Sequence, residues 1–283
     1  MSHDVSICWP APAKLNLCLH VVGRRADGYH LLQTAFQFID LVDELDFIDR
    51  PDGVIERVEG PAEIPAEQDL TVRAARLLAQ RTGCTRGVAI AVRKRIPIQG
   101  GLGGGSSNAA TVLVALNERW GLHQTEDQLA QMGLSLGADV PVFVRGRSAW
   151  AEGVGEQLTP VEFPEGVYLV VRPDAAVSPA EVFQAAELTR NSPVLTIRPL
   201  SQPGGRNDCE PVVRARYPAV ADALDWLGRH APARLTGTGS CLFASFASAA
   251  EAERVAAQVP DPWRAWVARG LARSPLLDRL AMR

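Results

Sequence analysis

Nine residues, Gly100-Gly101-Leu102-Gly103-Gly104-Gly105-Ser106-Ser107-Asn108, join a basic, strand-like run (Val88 to Ile96) to a helical pattern beginning near Ser107. Five of the first six have no β-carbon, so the backbone can turn its N–H groups inward and meet an anion closely. A helix starting there adds its unpaired first-turn donors and the positive end of its dipole. The segment reads as a cradle for a polyphosphate. It is not a Walker A loop, because no lysine follows Gly105. Nor is it the dinucleotide fingerprint: counted from Gly101, the last glycine of G-x-G-x-x-G falls on Ser106. A flexible linker has similar composition. A linker does not, however, run into Ala109, Ala110, Val112, Leu113, Leu116 and Trp120, spaced as one face of an amphipathic helix.

The chain of 283 residues has room for one large domain or two, with an ample core. Its 29 basic and 32 acidic residues leave a net charge of −3, which argues against a nucleic-acid partner. No run of eighteen apolar residues is present to span a membrane. Met1-Ser2-His3-Asp4 has no targeting pattern. The five cysteines are scattered and lack C-x-x-C spacing, which points away from a disulfide framework or zinc site and toward reduced thiols in a cytoplasm. Cys18 and Cys241 lie in apolar runs and are expected in the core.

Alternation from Lys14 to Val21 predicts a half-buried strand, followed by turn chemistry at Arg24 to Gly28 and a second strand from Leu31 to Ile39. Asp43 to Asp49 and Val54 to Val58 are expected to extend the same antiparallel sheet. Asp69 to Gly83 predicts a helix capped by aspartate and closed by glycine. Thr125 to Leu136 predicts another, with a threonine cap. Thr159 to Gly166 carries two prolines and little period, and marks a domain boundary. Beyond it, strands (Val167 to Arg172, Arg234 to Phe246, Trp263 to Ala268) alternate with helices (near Ala180, Ala219 to His230, Ala249 to Gln258), an α+β pattern with a sheet covered on one face. Pro199 to Gly205 is the candidate mobile loop.

Four further elements carry chemistry. Lys14 and Asn16 share the polar face of the first strand, a face open to solvent or to a site. Asp139 stands between a helix end and the apolar run Val140 to Phe143, read as a strand. Such an aspartate is a turn residue or cap, or else a general base kept ionised by a nearby cation. Tyr29-His30 offers two rings suited to stacking on a base, or to packing at a strand edge. Thr236-Gly237-Thr238-Gly239-Ser240 reads as a hairpin turn, or as more small-residue backbone beside the phosphates.

Taken together, Pro12 to Leu17, Gly23 to His30, Ile96 to Thr111, Gly137 to Pro141 and Leu235 to Ser240 resemble the GHMP kinase superfamily, in the family's order and across nearly the whole chain. The triple glycine before Ser106 and the Arg24-Arg25-Ala26-Asp27-Gly28-Tyr29-His30 run resemble the branch whose substrate is a cytidine diphosphate carrying methylerythritol. The resemblance implies ATP-dependent phosphorylation of the 2-hydroxyl of that methylerythritol, a step in non-mevalonate isoprenoid synthesis. It implies two domains: residues 1–160, like ribosomal protein S5 domain 2 and carrying the phosphate loop, and residues 161–283, ferredoxin-like. By the same resemblance Asp139 is the catalytic base, with Lys14 beside it. Asn16, Tyr29, His30 and Phe183 hold the substrate. Lys94, Pro97, Gly100 through Asn108, Gly237, Thr238 and Gly239 hold ATP. Magnesium is implied as a cofactor without named ligands, and the protein is expected to be a cytoplasmic monomer or weak dimer. The sequence departs from the family at Asp69, where asparagine is commoner, at Gln99, and at Pro179. Two alternatives remain: another small-molecule kinase of this superfamily, acting on homoserine, mevalonate or a sugar, and a catalytically silent nucleotide- or RNA-binding protein of the same fold.

Overall fold

The computed structural model describes residues 8–195 and 205–282. Met1 to Asp4 and all of the Pro199 to Gly205 segment except its last residue lie outside them. The first two strands are longer than alternation predicts. β1 (Trp9–Arg24) pairs antiparallel with β2 (His30–Arg50), which is one strand where two were expected. No glycine or proline interrupts 40–42, so the chain absorbs a register shift there as a bulge and continues. β3 (Ile55–Glu59), α1 (Leu70–Thr82) and β4 (Gly87–Arg93) follow. β3 pairs parallel with β4, not antiparallel, because α1 carries the chain back across the sheet between them. Asp69 caps α1 by accepting from the Thr71 N–H, and Gly83 closes it at φ 69°, as the sequence predicts.

α2 (Gly104–Trp120) begins three residues before the expected start, with Gly103 as its N-cap. Its pattern promises one apolar face, yet Ser107 through Leu116 are all buried. α1, α4 (Val140–Arg145) and β1 surround it, so small residues such as Ala109, Ala110 and Ala115 are what fit. α3 (Glu126–Leu134) starts in a capping box of Thr125 and Gln128. The apolar run after Asp139 is the short helix α4 rather than a strand, with proline in its first turn. β5 (Ala149–Glu152) and β6 (Gln157–Pro160) complete the first half.

The second half contains β7 (Val167–Arg172), α5 (Pro179–Gln184), α6 (Glu210–Arg216), α7 (Pro218–Gly228), β8 (Ala233–Leu235), β9 (Leu242–Phe246), α8 (Ala249–Ala256), β10 (Arg264–Leu271) and α9 (Pro275–Ala281). Among the described residues, all ten strands join one sheet, whose main path runs β3-β4-β2-β10-β7-β9-β8. The link between halves is short, Gly270 and Leu271 of β10 against Ile39 and Phe38 of β2. Helices cover one face of β10-β7-β9-β8, as expected, burying Leu169, Val171, Leu242 and Ala244. The other face is not free. Val170, Phe243 and Ala268 pack against Ala13, Leu15, Ile39 and Trp150 of the first half.

That packing overturns the half-buried reading of β1: Leu15 is fully buried, and Lys14 and Asn16 on the opposite face are each only 3% exposed. Cys18 and Cys241 are core residues, as predicted, and burial raises both thiols, to about 11 and about 12. Finally α9 returns to the first core through Leu276, and the Arg279 guanidinium lies 5.1 Å from the Trp9 ring.

Buried Asp43 ties this frame to the two ends of the glycine-rich segment. One carboxylate oxygen accepts from the N–H groups of Arg95 (2.7 Å) and Ile96 (2.8 Å). The other accepts from Lys94 Nζ and from Asn108 Nδ2 (2.9 Å). Replacing Asp43 by alanine leaves two backbone donors and a lysine without their acceptor. We expect Asp43→Ala to lose about 3–5 kcal/mol in urea unfolding, whereas replacing solvated Asp52 changes little.

Candidate active site

The two glycine-rich loops meet backbone to backbone. The Cys241 N–H donates to the Gly100 carbonyl (3.2 Å) and the Ser240 N–H to that of Gln99 (3.3 Å). Thr236 Oγ1 donates to the Gly101 carbonyl (3.3 Å) and accepts from the Asn16 N–H (3.0 Å). Asn207 holds the second loop from behind, donating to the carbonyls of Leu235 (2.9 Å) and Gly237 (2.7 Å). A β-carbon on Gly101 would stand 2.2 Å from the Thr236 carbonyl oxygen, and its φ of +73° already favours glycine. Thr236 to Ser240 is therefore both the β8–β9 turn and a wall beside the first loop.

A cleft of about 830 Å³ opens above this junction. At its floor the Lys14 ammonium donates to Asn16 Oδ1 (2.6 Å) and the Gly101 carbonyl (2.9 Å), and stands 3.4 Å from the Asp139 carboxylate. It also lies 5.4 Å from the Phe36 ring centre. Asn16 is oriented by Thr34, whose hydroxyl accepts from its amide (2.8 Å) and donates to the Cys18 carbonyl (2.5 Å). The Asp139 side chain is about one third exposed (34%), facing the cleft, and makes no capping bond to α4 although it is the N-cap residue. An exposed carboxylate beside a buried cation is equipped to accept a proton from a bound hydroxyl. Gly101, Gly103 and Ser106 line the cleft next to them, at the N-terminus of α2, which has no side-chain cap. Its first-turn N–H groups remain available to an anion.

The far end is aromatic. His30 stacks on Phe183 with ring centres 5.2 Å apart and planes 25° from parallel. Tyr29 is 64% exposed, its ring unpacked at the mouth. Burial, followed by the charges of Arg190 and Arg24, holds the His30 imidazole below its ordinary range, which favours the neutral ring.

The structure thus gathers Lys14, Asn16, Tyr29, His30, Asp139, Phe183, Gly101, Gly103, Ser106, Gly237, Thr238 and Gly239 around one cleft. Lys94, Pro97, Gly100, Leu102, Gly104, Gly105, Ser107 and Asn108 are not in its lining. Lys94 is engaged by Asp43 and Asn108, while Leu102 is buried in the core and its carbonyl accepts from the Lys14 N–H (3.0 Å). Asp69 is committed to capping α1 and to an ion pair with Arg57. Sequence reasoning missed Thr34, Asp43, Arg190 and Asn207. Asn207 has no pattern around it, and Asp43 looks like any strand-edge acid.

The chain matches GHMP kinases N terminal domain over residues 69–147 and GHMP kinases C terminal over residues 185–265. It is 60% identical to the 4-diphosphocytidyl-2-C-methyl-D-erythritol kinase of Alkalilimnicola ehrlichii, over 96% of this chain and 94% of that protein. It is 58% identical to the protein of that name from Halorhodospira halophila, over 96% of both. A crystal structure of 4-(cytidine 5'-diphospho)-2C-methyl-D-erythritol kinase superimposes with a TM-score of 0.80 at 31% identity, covering 93% of this chain and 98% of that one. A homoserine kinase from Cytophaga hutchinsonii, at 16% identity and a TM-score of 0.69 over 97% of each chain, shares the fold. Two family matches spanning both halves, and relatives this similar over nearly the full length, place the chain in the GHMP kinase family, among the 4-diphosphocytidyl-2-C-methyl-D-erythritol kinases.

Proposed function

We propose that this kinase transfers the γ-phosphoryl group of ATP to the 2-hydroxyl of 4-diphosphocytidyl-2-C-methyl-D-erythritol, in the non-mevalonate route to isoprenoids. The observation that carries this reading is the Lys14–Asp139 pair, set between an uncapped helix N-terminus and a His30–Phe183 stack. Asp139 takes the hydroxyl proton. Lys14, 3.4 Å from that carboxylate, offsets charge growing on the acceptor oxygen. Asn16 orients the acceptor, and His30, Phe183 and Tyr29 take the cytosine. Backbone donors of the Gly101 to Ser106 segment, with Gly237 to Gly239 opposite, hold the polyphosphate. Phosphoryl transfer needs positioning and charge stabilisation more than covalent help, which this set provides.

Magnesium suits the donor set. The described residues hold no cluster of three acidic, histidine or cysteine groups, and Mg²⁺ characteristically takes one or two protein oxygens plus substrate phosphates. Ser106, which lines the cleft at the N-terminus of α2, is the protein oxygen we assign to it. Bound there, it would neutralise phosphate charge. The finer architecture is a proposal as well: an S5 domain 2-like unit over residues 1–160 and a ferredoxin-like unit over 161–283. Its support is the helix-covered sheet β10-β7-β9-β8 and the two family matches on either side of residue 160. Five unpaired cysteines favour a reducing cytoplasm, and we place the protein there as a monomer or weak dimer.

The deciding assay follows ADP release with ATP and magnesium, offering diphosphocytidyl-methylerythritol, homoserine, mevalonate or galactose. Release only with the cytidine compound is expected. Release with another acceptor, or nucleotide binding without turnover, would overturn the assignment. Asp139→Asn should lower kcat by about 10²–10⁴ with ATP affinity unchanged by calorimetry, and a matching loss of ATP affinity would remove it from the base role. Gly101→Ala should cost at least about 1–2 kcal/mol in thermal unfolding from its backbone conformation alone, and lower kcat by displacing the second loop.

A further inference from the structure

Arg190 lies outside the glycine loops and outside the lining of the cleft, yet its guanidinium reaches the His30 ring and the backbone carbonyl of Phe183 at the aromatic end. Nε donates to His30 Nε2 (3.1 Å). Nη2 donates to the carbonyls of Phe183 (3.0 Å) and Ala185 (2.7 Å), and Nη1 to that of Leu188 (3.1 Å). His30 opens β2 in the first half, whereas Phe183 sits on α5 in the second. One planar group thus joins the two walls of the stack and occupies three carbonyls at and beyond the end of α5. A lysine, with a single nitrogen, lacks the fork to do this.

The segment carrying Arg190 is itself fixed to β1. The Ser192 N–H donates to the Val21 carbonyl (3.0 Å) and its hydroxyl to buried Asp208 (2.5 Å). Asp208 also accepts from the Val21 N–H (2.8 Å) and Arg206 Nε (2.7 Å). Arg190 is therefore held from behind as well as through its own bonds. Because a guanidinium only donates, His30 Nε2 must accept, and the single ring proton of the neutral imidazole resides on Nδ1.

We propose that Arg190 is a positioning residue for the pyrimidine end of the substrate: it fixes the His30–Phe183 stack and holds His30 as the neutral, Nδ1-protonated tautomer. This rests on the functional reading above. The charged groups acting on His30 are Arg190 from the segment after α5 and Arg24 from β1; Asp27 and Tyr29 of the β1–β2 turn line the same cleft, and α5 presents uncharged Phe183 and Gln184 to it. Protonation of His30 would set a donor against the Arg190 donor. Substrate KM should then rise as pH falls below the ordinary histidine range of about 6.5, with the midpoint lower because burial, Arg190 and Arg24 disfavour the imidazolium.

The test compares the full chain with Arg190→Met and Arg190→Lys, using diphosphocytidyl-methylerythritol turnover and, separately, calorimetric binding of CMP. Arg190→Met should raise KM for the cytidine substrate by about 10- to 100-fold, leave kcat and the KM for ATP near wild type, and weaken CMP in parallel. Loss of its positive charge should also move the acid limb of the KM profile to higher pH. Arg190→Lys should restore the position of that limb but not the KM. An unchanged KM, a full rescue by lysine, or a joint loss of kcat and ATP binding would overturn the proposal. If Arg190→Met does not fold, nitrogen-15 spectra of the wild-type histidines still decide: a His30 protonated at Nε2 at pH 7.5 refutes it. Absence of turnover by the wild type with CMP still bound tightly would count against the assigned reaction while leaving the Arg190 contacts open to the binding arm.

Discussion

A buried ammonium is the constraint around which the rest is arranged. Lys14 is 3% exposed, and a charge taken from water to that degree must be compensated by near neighbours. Its compensation comes from three places in the sequence: Asn16 on its own strand, the Gly101 carbonyl and the Asp139 carboxylate. Each is brought there by a different element. The bulged β1–β2 pair supplies Asn16, the loop before α2 supplies Gly101, and the start of α4 supplies Asp139. An error in any of these would leave the interior lysine charge short of a partner, so this one buried group ties together the geometry of all three elements.

Backbone contact between the two glycine loops transmits this arrangement to the second half. Gly101 and Thr236 approach more closely than a β-carbon allows, and Thr236 bonds both Gly101 and Asn16. The halves are also joined by a two-residue strand pairing, by hydrogen bonds from Ser192 and Asp208 to β1, and by the apolar layer containing Leu15, Trp150, Val170 and Phe243. The cleft lies across that seam, with the uncapped N-terminus of α2 at one end and an aromatic stack built from both halves at the other.

Much of the fold was legible. The Asp69 and Thr125 caps, the closing Gly83 and the helix after the glycine loop follow from local chemistry that tertiary context did not override. Errors fell where context decides. The β2 strand ran through a region with no breaker, β3 paired parallel once α1 intervened, and Val140 to Phe143 became a helix because a strand and a short buried helix share one apolar pattern. Of the residues that line the cleft, those in glycine-rich or charged motifs stand out in the sequence. Thr34, Asp43 and Asn207 do not, because each looks like an ordinary polar residue until its partners, from 18 to 65 positions away, are known.

By itself the sequence determined that a glycine-rich loop opens a helix, that Lys14 and Asn16 share a strand face, and that Tyr29 and His30 are adjacent, since these depend on covalent spacing and on the backbone freedom of glycine. Only the tertiary structure decided that the face of Lys14 is interior rather than solvated. It alone placed Asp139 beside that lysine and set Phe183 against His30, because burial and charge proximity depend on segments that meet only when both halves pack.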